Sequence, residues 1–196
     1  SVVPLASSIV PSAQGPINLG APYFLHVGAR YAYKNFDGLL RAYSRTQLSR
    51  THKLVCFSSH RLSTAEMELI HQLGIPRESV VTVGGDDDLL ARYYEGAEAL
   101  VFPSMYEGFG IPIVEAMTCG CPIIAGNTSS MPEVGGDAAL YCDPDDPGTI
   151  AAAMLQIVGS AETRNHLIAQ GRERSHIFSW EKCAAQTYAV YRQLAS

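Results

Sequence analysis

Residues 99–125 read ALVFPSMYEGFGIPIVEAMTCGCPIIA. The apolar run 99–103 has the length and composition of a buried parallel strand. Pro112 suits the first turn of a following helix, where its missing N–H costs nothing, and Gly120 can end that helix. A second apolar run, 122–125, then begins another strand. This order predicts a strand–loop–helix–strand unit of an α/β fold.

The loop between strand and helix is the expected location of a ligand. In an open parallel sheet, ligands bind beyond the carboxyl ends of the strands. Gly108 and Gly110 allow the backbone to approach a ligand closely. Glu107 lies in this loop, and Glu115 follows about one turn inside the helix, where it can face the same crevice. Free N–H groups at the helix start, at Gly110 and Ile111, favour an anion such as a diphosphate.

The same alternation of strands and helices continues through the rest of the chain. It predicts an α/β fold, a Rossmann-like parallel sheet of about six strands with helices on both faces. The predicted strands are 22–28, 53–59, 79–83, 99–103, 122–125 and 138–142. Helices are predicted between them, the first ending near residue 48 and the second covering 63–74, and also over 147–158, 161–176 and 180–194. Residues 1–21, rich in Ser, Pro, Ala and Gly, read as a linker.

Composition limits the kinds of partner and compartment. A net charge of −5 argues against nucleic acid as a partner, because phosphate backbones need a basic face. No apolar run reaches the roughly 18 residues of a membrane helix. The five cysteines include no C-x-x-C pair, so reduced, buried thiols in a cytoplasmic protein are expected. No second pair of ligands accompanies Cys119 and Cys121, so no metal site is expected.

A family resemblance rests on the central stretch. Glu107 and Glu115 are separated by seven residues, PS precedes them, and EAM-x-x-G-x-P follows. This pattern resembles the signature of family 4 retaining glycosyltransferases (glycosyl transferases group 1), whose GT-B architecture has two facing Rossmann-like domains. The resemblance covers Pro22 to about Arg174 and corresponds to the C-terminal, donor-binding domain, one half of a GT-B fold.

The resemblance implies a domain plan. Residues 1–21 correspond to the interdomain linker, 22–178 to the nucleotide-sugar-binding domain, and 179–196 to a helix that packs toward an N-terminal acceptor domain. That acceptor domain is missing, and the chain looks like a segment of a longer protein. The helix therefore has an apolar side that we expect to be partly uncovered, formed by Ala184, Tyr188, Val190, Tyr191 and Leu194.

Roles for acidic and loop residues also come from the resemblance. Glu107 is expected to hold hydroxyls of the donor sugar, with the backbone of Gly108, Phe109 and Gly110 close to the ligand. Glu115 is expected to accept hydrogen bonds from the ribose diol, since a carboxylate can accept two.

Arg30 and Lys34 follow the first strand, and Gly28 ends that strand. From spacing alone they are either solvated surface cations or a phosphate-binding corner. The resemblance implies that both hold the donor diphosphate and, with Glu107, form the catalytic set. Lys34 is the firmer assignment, because relatives often place the Arg at other offsets.

Two further loops follow neighbouring strands. Gly84 is the position carried over for backbone contact with the nucleotide base. His60 is either near the base or ribose, or an exposed loop histidine. Polar residues in 126–134 can meet phosphate or acceptor, although turn and cap chemistry explains them equally well.

The function that the resemblance implies is donor binding in a retaining glycosyltransferase. The partner is a nucleotide-diphospho-sugar, and neither metal nor other cofactor is expected. The stretches YKNF and YEGFGIP resemble bacterial polysaccharide transferases, many of them GDP-mannose-dependent mannosyltransferases. Peripheral membrane association of the full-length protein, at the inner face, stays open. The alternatives are a non-catalytic nucleotide-binding or scaffolding module, or a related sugar-phosphate synthase or phosphorylase.

Overall fold

Six parallel strands form a single sheet in the order β3-β2-β1-β4-β5-β6. The structure is a computed structural model, and it describes residues 3–194. The strands are β1 Tyr23–Val27, β2 Lys53–Phe57, β3 Val80–Val83, β4 Ala99–Phe102, β5 Ile123–Gly126 and β6 Ala139–Cys142. The predicted six-stranded parallel sheet is therefore confirmed, with each strand within two residues of its expected limits.

Eight α-helices connect or follow these strands within residues 3–194. They are α1 Phe36–Arg45, α2 Thr64–Gln72, α3 Asp87–Gly96, α4 Ile111–Thr118, α5 Met131–Gly135, α6 Pro147–Gly159, α7 Ala161–Ser175 and α8 Trp180–Leu194. The helix expected to reach residue 48 ends at Arg45. Thr46 takes an extended backbone, and its hydroxyl accepts the Leu48 N–H of a separate 3-10 turn.

Alternating strand residues divide the core into two layers. Phe24 of β1 lies in a cluster with side chains of α1, α2 and α6, among them Leu39 and Ile150. The adjacent Leu25 lies in a second cluster with side chains of α3, α4 and α5, among them Tyr94 and Ile113. Successive strand side chains point to opposite faces, so one strand supplies both layers. Helices on both faces are thus confirmed.

The reversal of strand order lies between β1 and β4. These neighbours are paired, with Phe24 opposite Ala99 and Leu25 opposite Leu100. From β1 the sheet continues through β2 and β3 on one side, and from β4 through β5 and β6 on the other. The loops leaving β1 and β4 therefore diverge, and their separation opens a crevice at the carboxyl edge of the sheet.

The two ends of the chain pack differently. Segment 3–22 has no regular secondary structure, but Ala6 and Ile9 are buried, and the Ile17 N–H bonds the Arg92 carbonyl of α3 at 3.1 Å. α8 has no buried residue, and Tyr188, Tyr191 and Leu194 of its predicted apolar side are exposed. No helix among residues 3–194 combines the length and apolar character that crossing a membrane requires. The interdomain roles of both segments stay predictions.

His26, in β1, is the one fully buried histidine among the described residues. Its Nδ1 lies 3.2 Å from the Val101 carbonyl, which can only accept, so Nδ1 carries the proton. Burial lowers the pKa of His26 to about 4, and the Val101 bond opposes that shift only in part. A neutral imidazole in the folded protein and an ordinary pKa near 6.5 in the unfolded chain make stability depend on pH.

We expect the free energy of unfolding to fall as pH decreases from about 6.5 to 4, by on the order of 3 kcal/mol from this group. The unfolded chain takes up a proton in this range, and the folded protein does not. Urea unfolding at several pH values measures the slope. His26→Leu should flatten it, whereas His71→Gln, an exposed control, should leave it unchanged. An unaltered slope in His26→Leu would refute the assignment.

Candidate functional site

Lys34 and Glu107 meet in the crevice between β1 and β4. The Lys34 Nζ lies 2.5 Å from the Glu107 Oε1, although the residues are 73 apart in sequence. Their side chains are only 13% and 12% exposed. The ammonium also lies 4.8 Å from the centre of the Phe102 ring, a cation–π contact. The structure thus brings together the two residues that the sequence placed after separate strands.

The loop carrying Glu107 is held by two hydroxyls that the sequence did not assign to it. The Ser129 Oγ donates to the Glu107 carbonyl at 2.6 Å. The Ser130 Oγ donates to the Glu107 and Phe109 carbonyls at 2.9 and 3.0 Å. Ser129 has a positive φ of 55°, which is uncommon outside glycine. These serines therefore support the site by fixing its backbone.

Asn35 fixes the position of Lys34 in a similar way. Its backbone is left-handed, with a φ of 54°, and its amide donates to the Pro103 carbonyl at 3.2 Å and the Pro144 carbonyl at 2.6 Å. These bonds tie together the loops after β1, β4 and β6. The sequence reasoning missed this role, although an Asn between a short basic segment and a helix start is a recognisable signal, since Asn tolerates this backbone region.

The start of α4 carries backbone N–H groups that are not used within the described part of the protein. Gly110 precedes the helix with a φ of 97°, a conformation that favours glycine. The Ile113 N–H is already bonded to the Gly110 carbonyl at 2.9 Å, and Pro112 has no N–H. The N–H groups of Gly110 and Ile111 donate no hydrogen bond within the described residues, so both can be given to an anion. Gly108 is exposed, with open space around it.

Glu115 lies half-buried on α4 and contacts a buried tyrosine. The Tyr94 Oη donates to the Glu115 Oε2 at 2.9 Å. Burial raises the pKa of Glu115, and the charge of Asp87 acts in the same direction, while the Tyr94 bond opposes both. The sequence did not predict this contact, because Tyr94 reads simply as an apolar core position of α3.

Arg30 does not present its guanidinium openly to the crevice. Its Nε bonds the Glu66 Oε1 at 2.7 Å, and one terminal nitrogen donates to the His60 and Arg61 carbonyls at 3.2 and 2.7 Å. The side chain is only 4% exposed. Glu66, the third residue of α2, also forms a capping box with Ser63, the residue that precedes the helix. Arg30 thus fastens the loop after β1 to the loop after β2.

The remaining predicted positions lie farther along the sheet. Gly84 is exposed after β3, two strands from β1, and its loop packs beside Ser58. His60 is exposed, and its contact with the site is through its backbone carbonyl to Arg30. A base contact at Gly84 stays a prediction. No cluster of three or more His, Cys, Asp or Glu side chains in residues 3–194 is arranged to hold a metal ion.

The sequence of the chain matches a known protein family. The family described as "Glycosyl transferases group 1" matches residues 11–174. The chain belongs to this glycosyltransferase family. The predicted recognition is confirmed, and the lysine–glutamate pair lies in a group 1 glycosyltransferase domain.

Two curated relatives of this glycosyltransferase chain carry mannosyltransferase names. It is 38% identical to O-antigen chain mannosyltransferase B of Escherichia coli, over 88% of this chain and 46% of that protein. It is 34% identical to MMP alpha-(1->4)-mannosyltransferase of Mycolicibacterium hassiacum, over 82% of this chain and 40% of that protein. The glycosyltransferase chain therefore spans less than half the length of these relatives.

A solved structure agrees with the fold. Sucrose-phosphate synthase of Thermosynechococcus elongatus aligns with a TM-score of 0.85 and 28% identity, covering all of this chain and 53% of that one. The agreement over the whole glycosyltransferase chain confirms the Rossmann-like fold, which makes up about half of the sucrose-phosphate synthase chain.

The Arg30–Glu66 pair predicts a stability effect. Arg30→Met leaves the Glu66 carboxylate and two carbonyls without their charged donor, which should cost about 2–4 kcal/mol at pH 7. Burial raises the pKa of Glu66, but hydrogen bonds from Arg30 and Ser63 outweigh it and lower the pKa. The stabilisation is therefore present above the unfolded pKa and is lost as pH falls through the folded pKa.

Urea unfolding at pH 7 and at pH 3 measures this prediction, and the difference between variant and wild type should shrink at pH 3. Arg45→Met is the matched control, because Arg45 and Asp146 are 3.9 Å apart and both are 56% exposed. Its effect should stay below about 1 kcal/mol. Equal losses in the two variants would contradict the fastening role of Arg30.

Proposed function

We propose that this chain is the donor-binding half of a retaining glycosyltransferase that uses a nucleoside-diphosphate sugar. The observation that carries the proposal is the meeting of Lys34 and Glu107 at the reversal of strand order, where open parallel sheets bind nucleotides. A cation for phosphate and a carboxylate for sugar hydroxyls lie side by side there. Membership of the group 1 family supports the same chemistry.

The proposed mechanism is electrostatic. As the glycosidic bond breaks, negative charge develops on the β-phosphate of the leaving diphosphate. The Lys34 ammonium and the Ile111 N–H stabilise that charge. Without a donor, Lys34 pairs with Glu107, so a diphosphate competes with Glu107 for the ammonium. Its binding then leaves the Glu107 carboxylate able to accept hydrogen bonds from the sugar, next to the Phe109 and Gly110 backbone.

The nucleoside portion is proposed to reach the other acidic residue. Glu115 accepts hydrogen bonds from the ribose diol, and Gly84 contacts the base through its backbone. Arg30 is enclosed and pairs with Glu66, so we assign the main phosphate contact to Lys34. The Arg30 Nη1 has no hydrogen-bond partner among the described residues, so we keep Arg30 as a second contact through that nitrogen.

The names of the relatives suggest the donor and the pathway class. Two proteins at 38% and 34% identity are named mannosyltransferases, one of them for O-antigen chains. We therefore propose GDP-mannose as the donor and bacterial polysaccharide or glycolipid synthesis as the context. The protein would act in the cytoplasm, at the inner membrane face where the acceptor is a lipid, and cationic side chains would replace a metal.

The complete enzyme is proposed to need a second domain. The chain covers 46% and 40% of the two relatives, which leaves room for an acceptor domain of typical size. If that second domain supplies the other half of the cleft, the chain alone should bind the donor weakly and transfer no sugar.

One observation favours a second candidate. The similar solved structure is a sucrose-phosphate synthase, so the complete protein can instead be proposed to transfer sugar to a sugar phosphate. The products distinguish the two. Transfer to a polysaccharide or lipid acceptor supports the first proposal, and release of a soluble disaccharide phosphate supports the second.

Calorimetric titration with GDP, UDP and ADP tests the donor site. We expect one nucleotide to bind, and Glu115→Gln to weaken it by roughly 10- to 100-fold, because a charge-assisted hydrogen bond is lost while the fold keeps an acceptor for Tyr94. The 2′-deoxy form of that nucleotide should bind the wild type more weakly. Glu68→Gln, on the exposed side of α2, is the control. Equal affinity of Glu115→Gln and wild type would count against the ribose role.

Lys34→Ala in the complete enzyme tests the phosphate role. Removing a preorganised charge at the leaving group should lower kcat by about 10²–10³-fold. Lys53→Ala is the control, because Lys53 starts β2 at the opposite, amino edge of the sheet. Initial-rate kinetics with a radiolabelled GDP-sugar provide the measurement. Near-normal turnover of Lys34→Ala would refute the proposed role.

A further inference from the structure

The contact between Tyr94 and Glu115 joins the core to a half-buried carboxylate of α4. Tyr94 is fully buried, and its ring lies in the cluster between the sheet and helices α3 and α4. Its Oη is fixed by that packing at 2.9 Å from the Glu115 Oε2. A close-packed ring has little freedom to turn, so its hydroxyl defines a fixed point for the carboxylate.

The two oxygens of Glu115 have different surroundings. Oε2 accepts the Tyr94 bond, whereas Oε1 receives no hydrogen bond from the residues that the structure describes. Oε1 is not one of the fully buried, unpartnered polar atoms of the described residues. Part of its surface is therefore accessible. The carboxylate therefore has one anchored oxygen and one accessible oxygen.

The groups around Glu115 determine how strongly its ionised form depends on the hydrogen bond from Tyr94. The facing titratable groups are Tyr94 and Asp87 of α3 and Cys119 at the end of α4. Burial and the charge of Asp87 disfavour the ionised form of Glu115, whereas the hydrogen bond from Tyr94 favours it. Burial and the Glu115 charge raise the pKa of Tyr94 well above its ordinary value, so the hydroxyl keeps its proton and donates.

We propose that Tyr94 is a positioning residue that anchors one oxygen of Glu115 and thereby presents the other, as an ionised acceptor, to the ribose diol of the donor nucleotide. The inference rests on the proposed function, in which Glu115 binds ribose. It adds a residue that never touches the ligand but determines the direction and charge of the group that does. A free carboxylate on α4 would instead sample several rotamers and would lose that freedom on binding, which costs affinity.

The first measurement does not depend on nucleotide binding. Carbon-13 NMR titration of the Glu115 side chain compares the wild-type chain with Tyr94→Phe. Removing the hydroxyl should move the Glu115 pKa upward, because a hydrogen bond to the charged form is lost. Tyr23→Phe is the matched control, since it removes another buried tyrosine hydroxyl, bonded to the Tyr93 carbonyl at 2.9 Å. An unchanged Glu115 titration in Tyr94→Phe would overturn the proposal.

The second measurement is nucleotide affinity at several pH values, with GDP, UDP and ADP as probes. For the nucleotide that binds, Tyr94→Phe should lower the affinity by about threefold to tenfold, which corresponds to the loss of one hydrogen bond. The loss should be larger at acid pH, where the unanchored carboxylate takes up a proton first. Tyr23→Phe should follow the wild type throughout, which separates the anchoring role from general loss of stability.

A double-mutant cycle completes the test. In a Glu115→Ala background, which removes both the acceptor for Tyr94 and the ribose contact, Tyr94→Phe should have little further effect on nucleotide affinity, because Tyr94 acts only through Glu115. Fully additive losses would overturn the positioning role. If the NMR shift appears but none of the three nucleotides binds the complete protein, the anchoring of the carboxylate stands and the proposed donor function fails.

Discussion

The Lys34–Glu107 ion pair depends on a topological constraint. The two residues follow strands that are far apart in sequence, and they meet only because β1 and β4 are hydrogen-bonded neighbours in the sheet. The strand order reverses at this pair, so the connections diverge and leave their loops facing each other. The rest of the site is built to keep those two loops in place.

Several strained or fixed backbone positions serve that purpose. Asn35, Ser129 and Gly110 all have positive φ values, and each lies in a loop at the carboxyl edge of the sheet. The amide of Asn35 and the hydroxyls of Ser129 and Ser130 hold neighbouring loops through backbone carbonyls. Such cross-loop bonds let irregular backbone stay ordered around a ligand site, and their cost is offset by the close-packed sheet beneath.

The charged groups near the crevice fall into two kinds. Arg30 and Glu66 pair with each other, and Arg30 also bonds the adjoining carbonyls, so their charge supports loop structure, although the Arg30 Nη1 is buried without a hydrogen-bond partner among the described residues. Lys34 and Glu107 instead join the loop after β1 to the loop after β4, and Glu115 lies half-buried on α4. These three residues carry the charges that the proposed function assigns to the ligand, one cation and two carboxylates in a chain with an overall charge of −5.

The sequence alone determined the fold class, the six strands, the limits of most helices and the family, because hydrophobic periodicity, glycine positions and the E-x₇-E stretch are local signals. It also named Lys34, Glu107 and Glu115. Only the tertiary structure decided that Arg30 is enclosed by Glu66, and that Tyr94, Asn35, Ser129 and Ser130 support the site. Those contacts join residues 21 to 109 positions apart, and no local pattern encodes which side chains a folded sheet will bring within hydrogen-bond distance.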